Sequence, residues 1–296
     1  MTNPTVGIAI PYWSHPEYLE LALASVAAQT DPEFTAVVID DCSPTGGAEE
    51  LVAALGDPRV RFVRNDRNLG LAGNFNRCLV EPGTDVVAIV HADDILEPCY
   101  VATIRAAHAA EPTAACVAPW TTPIDAHGAI AVSMVDRMKR WRWPAARRST
   151  LHGDAGLARL MHTFLVYTPA MSYRPALLPR GGFPEGWKQV MDVELYATLL
   201  LEGGTILLDR TPAYRYRRHD GTTTSRNARS FTRLAEETAM ARLVGARARA
   251  LGWRRTSFAA RLRWSIRLNG AVSLVRSIGR TAPGRRGAVR DVCSLR

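Results

Sequence analysis

The sequence predicts an α/β fold: a Rossmann-like, mainly parallel sheet with flanking helices, followed by a helical C-terminal extension. Three observations carry this. Over the first 120 residues, short apolar runs rich in Val and Ile alternate with segments of one-face helical periodicity, the pattern of parallel strands joined by crossover helices. The run Val86 to Val90 ends in His91-Ala92-Asp93-Asp94, which places two carboxylates at a strand exit, where ligands of open α/β sheets bind. From residue 226 onward the composition changes to Arg-rich and helical, which divides the chain into a body, 1–225, and an extension, 226–296.

Thr5 to Pro11 reads as the first strand. Pro16 opens a helix with Leu19, Ala22, Leu23 and Val26 on one face, the proline falling in the first turn, where its missing N–H removes no bond. Phe34 to Asp40 is the second strand, Glu49 to Leu55 a helix, Val60 to Arg64 the third strand, Ala72 to Val80 a helix and Val86 to Val90 the fourth strand; Ala114 to Pro119 adds another. Residues 121–150 break the pattern with Pro123, Pro144 and interleaved Trp and Arg, and read as a loop or lid. Helices follow at 154–164 and 190–202, and short strands at 205–209 and 213–217.

A chain of 296 residues with 47% hydrophobic content has ample material for a core. Its five cysteines are odd in number, widely spaced and without a Cys-x-x-Cys pair, which argues against a disulfide framework or zinc site and for a reducing cytoplasm. No secretory leader or transmembrane run is read in it. The net charge of +9 is unevenly spread: residues 226–296 hold 17 arginines against three acids, so the body is net negative. Such a tail suits packing on the body, another subunit, or an anionic membrane, where Trp264, Leu268, Ala271, Val275 and Ile278 would form the apolar stripe. No nucleic-acid reader module accompanies it, so no nucleic-acid partner is expected.

Four patterns occur in a fixed order at successive strand exits: Ile10-Pro11-Tyr12-Trp13, Ile39-Asp40-Asp41-Cys42-Ser43, Asn65-Asp66-Arg67-Asn68-Leu69-Gly70 and His91-Ala92-Asp93-Asp94. With Met191-Asp192-Val193-Glu194 and Tyr216-Arg217-Arg218-His219, they resemble a family 2 glycosyltransferase of GT-A fold, over residues 5–224. The resemblance implies that Pro11 and Trp13 lie beside the nucleotide base and that Asp41 hydrogen-bonds it. It implies that Asn68, Gly70 and Asn74 line the ribose and diphosphate, that Asp93 faces the ribose, and that Asp94 holds a divalent metal with His219 nearby. Asp192 corresponds to the catalytic base.

The chemistry wants these residue types independently. A departing nucleoside diphosphate gathers negative charge, which Mg²⁺ or Mn²⁺ offsets from oxygen ligands; an imidazole such as His219 suits Mn²⁺ better. The acceptor hydroxyl must lose a proton to a carboxylate within reach, and a single displacement of this kind inverts the anomeric centre. Glu194 rivals Asp192, yet on a helix the two point about 200° apart, so one alone can face the site. Two positions depart from the family pattern: His91 stands where many members have a first Asp, and Met191 where Glu commonly precedes the base.

The resulting expectation is a cytoplasmic, inverting transferase that uses a nucleoside-diphosphate sugar, with UDP favoured. It would work on a glycan or lipid-linked acceptor of cell-surface polysaccharide biosynthesis, the tail placing it at the inner membrane face. Two alternatives stand beside it: transfer to a small soluble metabolite, and a nucleotide-sugar-binding scaffold without turnover.

Overall fold

A computed structural model describes residues 3–219 and 232–262. One nine-stranded sheet runs through them. Its first half is made of β1 (Val6–Tyr12), β2 (Phe34–Asp40), β3 (Val60–Arg64) and β4 (Val86–Ile89), all parallel and ordered β3-β2-β1-β4. The strand order reverses at β1, so the carboxyl ends of β1, β2 and β4 open on one crevice.

The crossover helices are α1 (Pro16–Ala27), α2 (Ala48–Leu55) and α3 (Gly70–Val80); their first residues fall within two of expectation. The β1 and β2 strands are buried almost throughout and read as continuous apolar runs because helices cover both faces of the sheet. Gly7 has a steric reason: a Cβ there would lie 2.4 Å from the Pro82 side chain, so only glycine lets the 80–84 turn close on β1.

Beyond β4 antiparallel pairings join the parallel ones. β5 (Ile95–Leu96), β7 (Arg148–Leu151) and β8 (Ser172–Tyr173) pair antiparallel with their neighbours, while β6 (Ala114–Ile124) and β9 (Thr205–Arg217) pair in parallel. β9 is one long strand where the sequence suggested two; register shifts near Pro212 absorb the proline that appeared to divide it.

Residues 121–150 are not a loop. They extend β6, turn at Gly128, form α5 (Met134–Arg142) and enter β7. A capping box fixes the start of α5: the Ser133 hydroxyl accepts from the Asp136 N–H while Asp136 accepts from the Ser133 N–H at 2.7 Å. Helix α4 (Tyr100–Ala110) packs against β6 and β9, and α6 (Gly153–Thr163) and α7 (Met191–Leu201) meet on the other side of the sheet.

The described part of the extension lies on the body. In α8 (Thr232–Ala250), Met240 and Val244 join the main core, and Glu236 accepts the N–H groups of Lys188 and Gln189. In α9 (Arg254–Leu262), the Arg255 and Thr256 N–H groups bond to Asp154, giving the first turn of the helix its carboxylate cap. The stripe from Trp264 to Ile278 lies outside the described residues. No described helix is long and apolar enough to cross a membrane.

Candidate active site

The Asp93-Asp94 turn is fixed by strands that meet it from elsewhere in the chain. It leaves β4, tightens through an Asp94 N–H to His91 carbonyl bond of 3.1 Å, and runs into β5, which pairs with Tyr214 and Arg215 of β9. Arg217, fully buried at the end of β9, donates its Nε to the Asp93 carbonyl at 2.8 Å and its backbone N–H to Asp94 Oδ1 at 2.6 Å. This staple brings His219 onto Asp93, with Nε2 to Oδ2 at 3.1 Å.

The two acids differ sharply in environment. Asp94 is fully buried; its Oδ2 accepts from the Tyr214 hydroxyl at 2.8 Å and its Oδ1 from Arg217, so both oxygens are engaged internally. Burial, and then the charge of Asp93, raise its carboxyl well above the usual range. Asp93 retains a quarter of its side-chain exposure, and although burial works against it, the His219 hydrogen bond keeps its carboxyl below the usual range. Asp94 therefore holds the turn through both oxygens while Asp93 faces outward, and both belong to the cluster that could hold an ion.

A divalent ion fits this corner. One ligand atom from each of His91, Asp93 and Asp94 lies within 4.8 Å of the others. His91 Nε2 is buried without a hydrogen-bond partner among the described residues, and burial lowers the imidazole pKa, which keeps it neutral and able to ligate. Its ring sits edge-on to Phe75 at 5.5 Å. His219 is framed by the rings of Tyr18 at 4.7 Å and His15 at 5.3 Å, and the Arg217 guanidinium lies over Tyr18 at 5.0 Å.

Asp41, 4% exposed, organises the loop after β3. Its Oδ1 accepts from Asn65 Nδ2 at 2.6 Å and the Leu69 N–H at 2.7 Å, and its carbonyl accepts from Asn68 Nδ2 at 3.2 Å. None of its hydrogen bonds within the described residues uses Oδ2. Asn68 in turn accepts the Gly70 N–H at 2.9 Å, an Asx turn that starts α3. Gly70 holds φ 72°, and a Cβ there would meet no atom within 4 Å, so the backbone is open to a ligand.

Asn74 departs from expectation. It is 4% exposed, accepts from Asn65 Nδ2 at 3.1 Å and donates to the Ile39 carbonyl at 3.4 Å, so it braces the loop from beneath and does not line the crevice. Pro11 is half-buried at the end of β1, and Trp13 is 46% exposed beyond it. Two non-glycine residues take left-handed backbone at this edge, His15 at φ 69° and Cys42 at φ 55°, a strain that commonly gathers at functional sites.

Asp192 sits in the first turn of α7, far from Asp93 in sequence, and sheet register explains how it reaches the same edge. β8 runs antiparallel to β4 with Ser172 opposite Ala88, so the residues before β8 lie level with the β4 exit. Among them, Thr168 donates its hydroxyl to Asp192 Oδ2, and the Val193 N–H bonds Oδ1 at 2.8 Å. Behind the carboxylate, Tyr173 and Tyr196 share a 2.7 Å hydroxyl contact; burial raises both phenols and the Asp192 charge raises them further. Glu194 is engaged elsewhere, by the Trp187 indole N–H. Thr168 and Tyr18 carry no motif of their own and were not singled out from sequence, and Arg217 entered only as a member of the Tyr216-Arg217-Arg218-His219 pattern, without a role; β8 is too short to announce Thr168 by periodicity.

Parallel strands reversing at β1, with acids at the β4 exit and Asp192 held near the same edge, are the layout of the GT-A fold. The chain belongs to the glycosyl transferase family 2, whose family description matches residues 7–164. It is 25% identical over 218 residues to the succinoglycan biosynthesis protein ExoO of Rhizobium meliloti, an alignment covering 74% of this chain and 62% of that one. The chain spans about a third to three fifths of the length of the curated relatives it matches. Among solved structures, S. aureus TarS 1–349 in complex with UDP-GlcNAc superposes with a TM-score of 0.63 at 19% identity, covering 82% of this chain and 66% of that one. Mannosyltransferase PcManGT from Pyrobaculum calidifontis, in complex with GDP-Man and Mn²⁺, superposes with a TM-score of 0.62 at 16% identity, covering 99% and 79%.

Proposed function

We propose that the protein is a metal-dependent, inverting glycosyltransferase that moves a sugar from a UDP-sugar to a hydroxyl of a glycan or lipid-linked acceptor in cell-surface polysaccharide biosynthesis. The observation that carries this reading is the convergence of two carboxylates in different settings on one sheet edge: Asp93 with His219, and Asp192 held by Thr168. The name of ExoO supports a polysaccharide product, and the UDP-GlcNAc bound to TarS favours a UDP donor. The Mn²⁺ and GDP-Man of PcManGT support a metal-assisted nucleotide-sugar site.

His91 and Asp93, from the His91-Asp93-Asp94 cluster, together with His219, which bonds Asp93, are the side chains we assign to the ion, Mg²⁺ or Mn²⁺, with two imidazoles favouring Mn²⁺. Bound there, the ion supplies Lewis-acid stabilisation of the charge that develops on the leaving diphosphate. Pro11 and Trp13 flank the base, and Asp41 accepts its N–H through Oδ2. Asn68 and Gly70 offer the ribose and diphosphate an open backbone. Asp192 accepts the proton of the acceptor hydroxyl as that oxygen attacks the anomeric carbon from the face opposite the leaving group. The Thr168 and Val193 bonds fix the direction of its carboxylate. Residues 1–225 form the catalytic unit, and we place it in the cytoplasm at the inner membrane face.

Nucleotide release from a panel of sugar nucleotides, with Mn²⁺ or Mg²⁺, tests the reading. One donor should support release, and Asp93→Asn and Asp192→Asn should each abolish it. Binding of UDP without release in the presence of acceptor lipids or glycans would instead favour a scaffold.

A further inference from the structure

Helix α5 is built inside out. Its polar residues Asp136, Lys139 and Arg140 face the protein: Asp136 is fully buried against Arg218 and Tyr167, Lys139 lies 3.9 Å from the Tyr167 ring centre, and Arg140 lies over Trp120. The opposite side carries Met134, 71% exposed, Met138 and Trp141, 83% exposed, at spacings of four and three. With about 100° per residue, Arg137 and Arg142 flank this stripe on its two sides. A helix on a water-facing surface has the reverse arrangement.

Beside Trp141, a groove of about 530 Å³ opens between α5, α6 and α9, lined by Trp141, Arg142, Arg159, His162, Arg255 and Phe258. Phe258 is 60% exposed. Among the described residues no carboxylate lines the groove, and Asp154, the chain neighbour of its Ala155 wall, accepts the N–H groups of Arg255 and Thr256. Arg142 Nε is buried with no hydrogen-bond partner among the described residues. Burial, and then the charge of Arg142, hold His162 below its usual pKa. Among the described residues three arginines thus gather at the groove, with Asp154, whose charge meets Arg255, at its edge.

We infer that this face, the exposed stripe of α5 and the arginine-rimmed groove next to it, docks on a bilayer containing anionic lipid, with Trp141 and Phe258 entering the headgroup region. Charge selects the occupant: exposed aromatics ringed by arginines complement an anionic interface. A second copy related by a two-fold axis would set the same arginines against one another. The inference names the surface that would meet a membrane-held acceptor, and rests on the proposed function for that acceptor alone. The link to chemistry is short, because Asp136 on the buried side of α5 bonds Arg218 and Tyr167, the chain neighbours of His219 and Thr168.

Sedimentation of the full chain with vesicles of phosphatidylcholine, alone or mixed with phosphatidylglycerol, tests this. Binding should require phosphatidylglycerol, and Trp141→Ala/Phe258→Ala and Arg255→Glu should each weaken it about tenfold. Unfolding midpoints and donor-dependent nucleotide release in solution should stay as in the wild type, since these side chains are exposed and away from the site. Three results would overturn the inference: no vesicle binding by the wild type, variants that bind as well as the wild type, or a concentration-dependent dimer that the double variant abolishes. Vesicle binding that follows the variants in a protein releasing no nucleotide would sustain the docking surface while rejecting the transferase reading. Release without vesicle binding would do the opposite.

Discussion

His219 Nε2 lies 3.1 Å from Asp93 Oδ2 across 126 residues of chain, while the adjacent Asp94 turns both of its oxygens inward to Tyr214 and Arg217. Neighbouring carboxylates thus have separable jobs. Asp93→Asn should abolish donor turnover and leave the unfolding midpoint nearly unchanged, because Asp93 is partly exposed. Asp94→Asn should lower stability by about 1–3 kcal/mol, since its amide nitrogen would face one of two buried donors. Thermal unfolding alongside nucleotide release checks both; equal destabilisation by the two variants would contradict the division of roles.

This division marks the limit of what the sequence could tell. The strand exits bearing Asp41, Asn68 and Asp93 were legible because parallel strands leave long apolar runs and the loops after them carry Asn, Asp and Gly. Two equivalent-looking acids in tandem give no sign of which one a distant strand will bury. The choice is made by Tyr214 and Arg217 on β9, whose pairing with β5 is nonlocal. Asn74 was misread for the same reason, its amide being satisfied by Asn65 and Ile39 from other elements. Helix α5 was read as a loop or lid because Pro123, Pro144 and the interleaved Trp and Arg masked the Met134, Met138, Trp141 spacing, which marks an outward face and not a buried one.

Asp192→Asn should lower kcat by about 10²–10⁴-fold with little change in donor KM, the pattern of a lost general base. Thr168→Val keeps the shape but removes the donor to Asp192 Oδ2, and should cost about tenfold in kcat. Glu194→Gln should leave kcat within about twofold, because that carboxylate is bound to the Trp187 indole. Steady-state kinetics on the three variants orders them, and a Glu194 effect as large as that of Asp192 would reverse the assignment.

Gly70→Ala should weaken donor binding. An alanine at φ 72° costs about 1–2 kcal/mol of backbone strain, and since its Cβ meets no protein atom, any loss of nucleotide affinity beyond the stability change reports the ligand. Calorimetric titration with UDP, alongside thermal unfolding, separates the two effects.

His108 makes stability depend on pH. The side chain is fully buried in α4, with Nε2 3.0 Å from the Ser172 hydroxyl, and burial together with the Arg174 charge pushes its pKa down to about 3. The unfolded imidazole titrates near 6.5, so below that pH the unfolded chain binds a proton the folded one refuses. The contribution of the neutral histidine is complete above about pH 6.5 and is lost progressively as pH falls toward about 3, a change of a few kcal/mol. His108→Gln retains a polar group toward Ser172 but cannot titrate. Its unfolding free energy should be lower than that of the wild type at pH 7.5, and should decline less steeply between pH 6.5 and pH 4.5. Urea denaturation at those three pH values measures the slopes, and parallel curves for the two proteins would show that this buried imidazole is not the group being titrated.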